Sequence, residues 1–335
     1  MASDPRDMFT KNLSHPVIFK QGPSIPSAPH ISTATLIGNP NLLDEQTKPQ
    51  TDYLYHFGLD TSMPLHEMFG DVKFVIAGGS ASRAKFFANM LYNEPVISGR
   101  QKPIPGLEPC PIGKTDRFNL YKVGPVISVN HGMGMPSASI CLHELAKLLH
   151  YAGAKDVIFM RAGTSGGLGV PPGTVVISTS GVDGRLRESY TLPILGKERT
   201  FPAILDPELA EALHQVSIEH GISATKGKTF STDCFYEGQG RIDGALCDYS
   251  EAAKFDFLHR LEAMGVRNIE MEAAQFASFT HRIGIRAAIV CVTIVDRLHG
   301  DQVAVTPAEL ESFVNNGLKL ILHFIVKALS APPPV

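Results

Sequence analysis

The chain has 335 residues, a formal net charge of −3, 44% hydrophobic residues and 19% charged residues. That length supplies one large α/β domain or two small ones with a sizeable core. The near-neutral balance excludes a general nucleic-acid or anionic-membrane binder, so any anion site must be local.

Residues 1–50 are rich in Pro, Ser, Thr and Asn without a sustained period, which predicts an irregular N-terminal arm. The body is expected over 51–330, beginning near Asp52. Val72–Ala77 reads as a short buried strand, followed by Gly-Gly-Ser and a helix over Ser82–Tyr92. Val126–Asn130 is a second strand. Pro136 opens a helix whose face is Ile140, Leu142, Leu145, Leu148 and Leu149. Val157–Arg161 and Thr174–Thr179 are strand-like, Asp206–His220 and Glu251–Met264 are amphipathic helices, and Ala287–Val295 is a central strand. Thr306 and Glu309 form a capping box for a last helix with Leu310, Phe313, Leu318, Ile321, Phe324 and Ile325 on its apolar face. Apolar strands alternating with helices predict a single α/β domain with a central mixed β-sheet flanked by helices. In such sheets ligands sit at the carboxyl ends of strands.

Five cysteines (Cys110, Cys141, Cys234, Cys247 and Cys291) are odd in number, widely spaced and without a CxxC pair. They read as reduced thiols and not as a zinc site or disulfide framework. MASDPRDMF has no apolar signal core, and the apolar run Ala287–Val295 is far shorter than the ~18 residues of a membrane span. A soluble cytoplasmic protein is the expectation.

Four segments could carry chemistry. In Gly78-Gly79-Ser80-Ala81-Ser82-Arg83, glycine lets backbone N–H groups approach an anion at a helix N-terminus, with Arg83 adding charge; a tight turn with a solvated arginine reads equally well. Arg161-Ala162-Gly163-Thr164-Ser165-Gly166-Gly167 puts an arginine at the end of an apolar strand, where it needs an anion. Phosphate held with the Thr164 hydroxyl is one answer, and a buried carboxylate pair is the other. Glu270-Met271-Glu272 offers carboxylates to sugar hydroxyls, or acids to a helix dipole. In Phe235-Tyr236-Glu237-Gly238-Gln239-Gly240-Arg241, an extended chain would turn Gln239 and Arg241 to the same side beside an aromatic face; a polar surface loop is the plainer reading. GxGxxG and Gly-Lys-Ser/Thr patterns are absent, which disfavours dinucleotide and triphosphate sites.

In order, GGSASR, Thr115-Asp116-Arg117, His131-Gly132-Met133-Gly134, RAGTSGG, FYEGQGR and NIEMEA resemble the purine and uridine nucleoside phosphorylase family, in particular its animal-type uridine phosphorylases. The likeness runs from about Asp52 to about Leu329. It implies phosphorolysis of uridine to uracil and ribose 1-phosphate, with inorganic phosphate as co-substrate and no metal or cofactor. It implies a homodimer with shared sites and no nucleic-acid or membrane partner. By the same resemblance, Gly79, Arg83, Arg161 and Thr164 bind phosphate, with Arg117 lent by a neighbouring subunit. Glu270, Met271 and Glu272 hold ribose, and His56 reaches a partner's 5′-hydroxyl. Phe235, Gln239, Arg241, Ile294, Val295 and Val303 form the base pocket, and Arg83, Arg161, Arg241 and Glu272 carry the catalysis. Asp296 departs from the uridine pattern. In the purine and methylthioadenosine branches an aspartate there protonates N7, which keeps a purine reading open beside that of a silent nucleoside-binding paralogue. A pair with the adjacent Arg297 is the expected structural use of Asp296.

Overall fold

The computed structural model describes residues 37–104 and 106–331, so the first 36 residues of the expected arm lie outside the described residues. Residues 37–50 include one short helix, α1 (Pro40–Leu43), capped by the Asn39 side chain. A small hairpin, β1 (Tyr53–Leu54) and β2 (Leu59–Asp60), and α2 (Leu65–Phe69) follow. The main sheet then takes β3 (Phe74–Gly78), β4 (Leu120–Val123), β5 (Val126–Asn130), β6 (Ile158–Gly167) and β7 (Val175–Val182). A separate hairpin, β8 (Ser189–Ile194) and β9 (Lys197–Pro202), precedes β10 (Ala224–Ser231), β11 (Val266–Glu270) and β12 (Arg286–Asp296). The longer helices are α3 (Ala81–Tyr92), α5 (Met135–Ala152), α6 (Pro207–Glu219), α7 (Glu251–Ala263), α8 (Ala273–Arg282) and α9 (Pro307–Ser330), with the short α4 at Pro95–Ser98.

The central strands are buried along most of their length and largely apolar, so both faces need cover. Phe74 and Ile76 of β3, Ile158 and Met160 of β6, and Ala288, Val290 and Val292 of β12 enter one core, with Phe87, Leu213, Ile321 and Phe324 from α3, α6 and α9. The intervening Val75, Phe159, Ile289 and Cys291 enter the other, with Leu145 and Phe276 from α5 and α8. This period-two split makes a sheet sandwiched by helices. Thr306 and Glu309 form the expected capping box reciprocally. Asp206 and Ser250 cap α6 and α7; α6 lies one residue inside the predicted bounds at both ends, and α7 starts where predicted and ends one residue early.

The eight strands lie in the order β11-β10-β7-β12-β6-β3-β5-β4, with mixed parallel and antiparallel pairing. β11 also pairs with the far end of β6, Ile269 opposite Gly166 and Asn268 opposite Gly167, so five strands close on themselves. That closure brings Glu270 beside the strand that carries Arg161. β6 does not stop at Arg161 as the sequence suggested: the glycine-rich RAGTSGG segment is its second half, paired with β12. Glycine is required there by close approach, since a Cβ on Gly166 would sit 2.7 Å from Cγ of Arg297.

Candidate active site

Arg161 is 3% exposed in the middle of β6. Its Nη1 lies 2.9 Å from Glu270 Oε2 and 2.9 Å from Cys291 Sγ, and its Nη2 pairs with Glu272. The carboxylate pairing and the candidate phosphate site are therefore the same place. Nε of Arg161 is buried without a partner, a donor still to be satisfied. Burial alone would lower the Arg161 pKa, but Glu270, Cys291 and Glu272 outweigh it and hold the guanidinium firmly charged.

The two acids do different work. Glu270 accepts from the backbone N–H of Glu272 at 3.0 Å and of Ala273 at 2.9 Å, so it caps α8, as acids at a helix N-terminus do. Burial pushes its carboxyl up against the pull of Arg161. Glu272 accepts from the Gly134 amide at 2.6 Å as well as from Arg161. Burial would raise it, yet Arg161, His131 and that amide together hold it below the ordinary carboxylate range. Met271 between them is half-buried.

His131-Gly132-Met133-Gly134 runs from β5 into α5. Its His131 amide donates to the Gly78 carbonyl at 2.7 Å, which joins it to the strand-to-helix segment carrying Gly79 and Arg83. The His131 ring is 1% exposed, and neither ring nitrogen has a partner. Burial first, and Arg161 second, push its pKa down to about 4, so it is neutral at pH 7. Arg83 is half-buried on the first turn of α3, and its guanidinium has no hydrogen-bond or carboxylate partner among the described residues. Its pKa is lowered by burial and then by Arg161. The open guanidinium of Arg83 and the unfilled Nε of Arg161, on segments that also carry the half-buried Gly79 and Thr164, leave local donors for an anion alongside the two carboxylates that Arg161 already holds.

The segment from Phe235 to Arg241 is not extended. Glu237–Gln239 forms one 3₁₀ turn, and Gly240 takes φ +63°. Strand alternation therefore does not set the directions of Gln239 and Arg241; each is held by its own partners. The Gln239 amide reaches the Glu270 carbonyl at 3.5 Å, which docks the turn on the end of β11. The Arg241 guanidinium lies 4.4 Å from the centroid of the Phe235 ring and donates to the Asp301 carbonyl at 2.6 Å and to Asp243 at 3.1 Å. Ile294 and Val295 lie near the end of β12, Val295 opposite Gly166. Val303 is 44% exposed, two residues beyond Asp301.

His56 and Arg117 stand apart from this cluster. His56 Nδ1 is 2.6 Å from Glu144, its ring lies against Phe118, and Arg117 is exposed without a partner among the described residues. Asp296 does not pair with Arg297: it holds His299 at 2.8 Å and the Leu298 amide at 3.1 Å. Arg297 is fully buried and pairs with Asp301 at 3.0 Å. Sequence reasoning missed His131, Arg297 and Asp301. The HGMG run at a strand end and the Arg297-x-x-x-Asp301 spacing were the available signals. The five cysteines are free thiols. Among the described residues no group of acids, histidines and cysteines could hold a metal, and no helix is long and apolar enough to cross a membrane.

An α/β sheet with arginines, a Glu-x-Glu pair and a docked polar turn at its strand ends has the layout of a pentosyl-transferring phosphorylase. The phosphorylase superfamily model matches residues 73–330, and the chain belongs to that family. It is 46% identical over 283 residues to "Uridine and thymidine phosphorylase" of Caenorhabditis elegans, covering 84% of this chain and 92% of that one. It is 40% identical over 265 residues to "Inactive uridine phosphorylase B" of Schistosoma mansoni, covering 78% and 87% respectively. A crystal structure of uridine phosphorylase from Schistosoma mansoni in complex with uracil superposes with a TM-score of 0.80 at 40% identity, covering 86% of this chain and 98% of that one.

Proposed function

We propose that this chain is a uridine phosphorylase, which splits uridine reversibly with inorganic phosphate into uracil and ribose 1-phosphate in pyrimidine salvage. It works in the cytoplasm as a homodimer with shared sites, without a metal or cofactor. The observation that carries the reading is the docking of the Gln239–Arg241 turn on the strand end that bears Glu270 and Glu272, next to Arg161. Base reader, sugar acid and anion-binding arginines are then contiguous.

In this reading phosphate enters between Arg83 and Arg161, cradled by Gly79 and Thr164. Glu272, held ionised by Arg161 and the Gly134 amide, accepts from the ribose hydroxyls. Bond cleavage builds positive charge on the sugar, which the phosphate and Glu272 face, and negative charge on the departing uracil, which Arg241 faces. Among the described residues Gln239 Oε1 has no hydrogen-bond partner, which leaves it available to accept from uracil N3–H. Asp296 is held by His299 and the Leu298 amide, which supports the pyrimidine reading over protonation of a purine.

The test is absorbance with uridine and phosphate: uracil appears only when phosphate is present, and inosine and methylthioadenosine are inert. Uridine binding without turnover would mark a silent paralogue instead. Gln239→Leu leaves uracil's buried polar edge unmatched, so uridine kcat/KM falls by about 10⁴-fold while the phosphate KM is nearly unchanged.

Shared sites make a separate prediction. Arg117→Ala and Gln239→Leu proteins, each nearly inactive, are unfolded together and refolded as an equal mixture. A random half of the dimers are then mixed and hold one intact site of two, so about a quarter of wild-type activity returns. If Arg117 serves its own chain, none returns.

A further inference from the structure

The base-reading turn is tied to the rest of the molecule by a buried charge cluster that the reaction itself does not require. Lys254, on α7, is 3% exposed, and its Nζ lies 2.9 Å from Asp301 Oδ1. The same oxygen receives Nε of Arg297 at 3.0 Å. Oδ2 of Asp301 receives the Ile242 amide at 3.2 Å, and its main-chain carbonyl receives Arg241 Nη2 at 2.6 Å. Arg297 in turn donates Nη2 to the Gln239 carbonyl at 2.9 Å. A second strap runs beside the first: Asp243 holds Arg241 at 3.1 Å and receives Gln302 at 2.6 Å. One aspartate thus touches, directly or through Arg297, the main chain at Gln239, the main chain at Ile242 and the side chain of Arg241.

Burying a lysine is costly, and a hydrophobic residue would fill the same space more cheaply. The contacts it makes through Asp301 point to what it holds. We propose that the Lys254–Asp301 pair is a positioning element of the base subsite. With Arg297 it fixes the turn from Gln239 to Ile242, so that the Gln239 amide and the Arg241 guanidinium meet the nucleobase in one geometry. Neither Lys254 nor Asp301 is a catalytic residue; both act through Gln239 and Arg241. The inference rests on the uridine phosphorolysis proposed above.

The test uses the full chain and the variants Lys254→Met, Lys254→Arg and Asp301→Asn. Asp301→Asn strips the counter-charge from two buried cations and is the variant at risk of not folding. Lys254→Met leaves the Arg297–Asp301 pair in place and keeps the question answerable. Uridine and phosphate are varied independently, and amide exchange over residues 235–243 is followed by mass spectrometry. Lys254→Met is expected to raise the uridine KM by about 10-fold through misplacement of the turn, with the phosphate KM within about 2-fold. Exchange at residues 239–242 is expected to quicken by about 10-fold or more. Lys254→Arg restores both readouts toward wild type. Equal rises in the two KM values, or unchanged exchange at 239–242 in Lys254→Met, overturn the proposal. If the wild-type chain turns over no uridine, the exchange arm still decides whether the pair fixes the turn, and the activity reading falls by itself.

Discussion

Arg161→Met is expected to abolish phosphorolysis and to destabilise the fold at the same time, because the two roles of this arginine converge on one guanidinium. Glu270 and Glu272 have side chains 3% and 7% exposed, and Arg161 is the cation they share. Removing one member of a buried ion pair costs about 3–5 kcal/mol, since the remaining charge stays desolvated. Activity should fall by about 10³-fold or more, the scale seen when a preorganised donor is removed from a reacting centre. Loss of activity alone would not separate a folding defect from a lost phosphate contact. The double variant Arg161→Met/Glu270→Gln does so. Neutralising Glu270 removes one of the stranded charges while leaving an amide to cap α8, and it should recover part of the unfolding free energy in urea. Activity should remain absent in the double variant, because Glu270→Gln restores no donor to the phosphate notch. Recovery of stability together with activity would show that Arg161 is structural and that phosphate is bound elsewhere.

The sheet and its helices were legible because burial imposes a period. Val72–Ala77, Val126–Asn130 and Ala287–Val295 are apolar runs whose alternate residues enter two cores, and the helices between them carry one apolar face each. The parts that escaped the sequence lack that signal. Ser189–Pro202 forms a hairpin of mixed apolar and polar residues, mostly half-exposed to exposed, around a turn at Leu195 and Gly196, both with positive φ. Ala224–Ser231 is polar and glycine-containing until Phe230, so nothing marked it as an inner strand. The RAGTSGG segment read as a loop because glycine usually breaks strands, whereas here it makes room for the Arg297 stem.

The site was legible by residue type and not by partnership. An arginine in an apolar strand needs an anion, and Arg161 has carboxylates within reach whether or not phosphate arrives. Asp296 and Arg297 were read as a pair because they are adjacent. Adjacent residues at a strand end point to opposite sides, so each found a partner three or four positions on. Gln239 and Arg241 were placed on one side by extended geometry, while the chain between them turns, with Gly240 in the left-handed region, so that alternation does not apply. Long-range pairings such as Lys254 with Asp301 depend on how α7 packs over the sheet, and local sequence holds no trace of that.

His131 gives the second large effect, and it is read as a difference between two proteins. Its pKa is about 4 in the fold because burial, and then Arg161, disfavour the imidazolium. In the unfolded chain it returns to about 6.5. Between these values the unfolded state binds a proton that the native state refuses, so the contribution of His131 is fully present above pH 6.5 and is lost as pH falls toward 4. The total is about 3 kcal/mol. Other groups titrate in the same range. His143 and His150, depressed chiefly by burial, act with the same sign, and Glu270, raised by burial, acts with the opposite sign. The raw pH profile of the wild type therefore mixes them. Comparison with His131→Leu cancels what the two proteins share. Both imidazole nitrogens lack partners in the fold, so leucine forfeits no hydrogen bond and should stay within about 1 kcal/mol of wild type at pH 7.5. At pH 5 the variant should be the more stable protein by about 2 kcal/mol relative to that baseline. Urea unfolding at both pH values, at one fixed protein concentration, measures the difference. An offset that does not change with pH would mean that His131 takes up its proton normally, and the neutral histidine beside Arg161 and Glu272 would have to be given up.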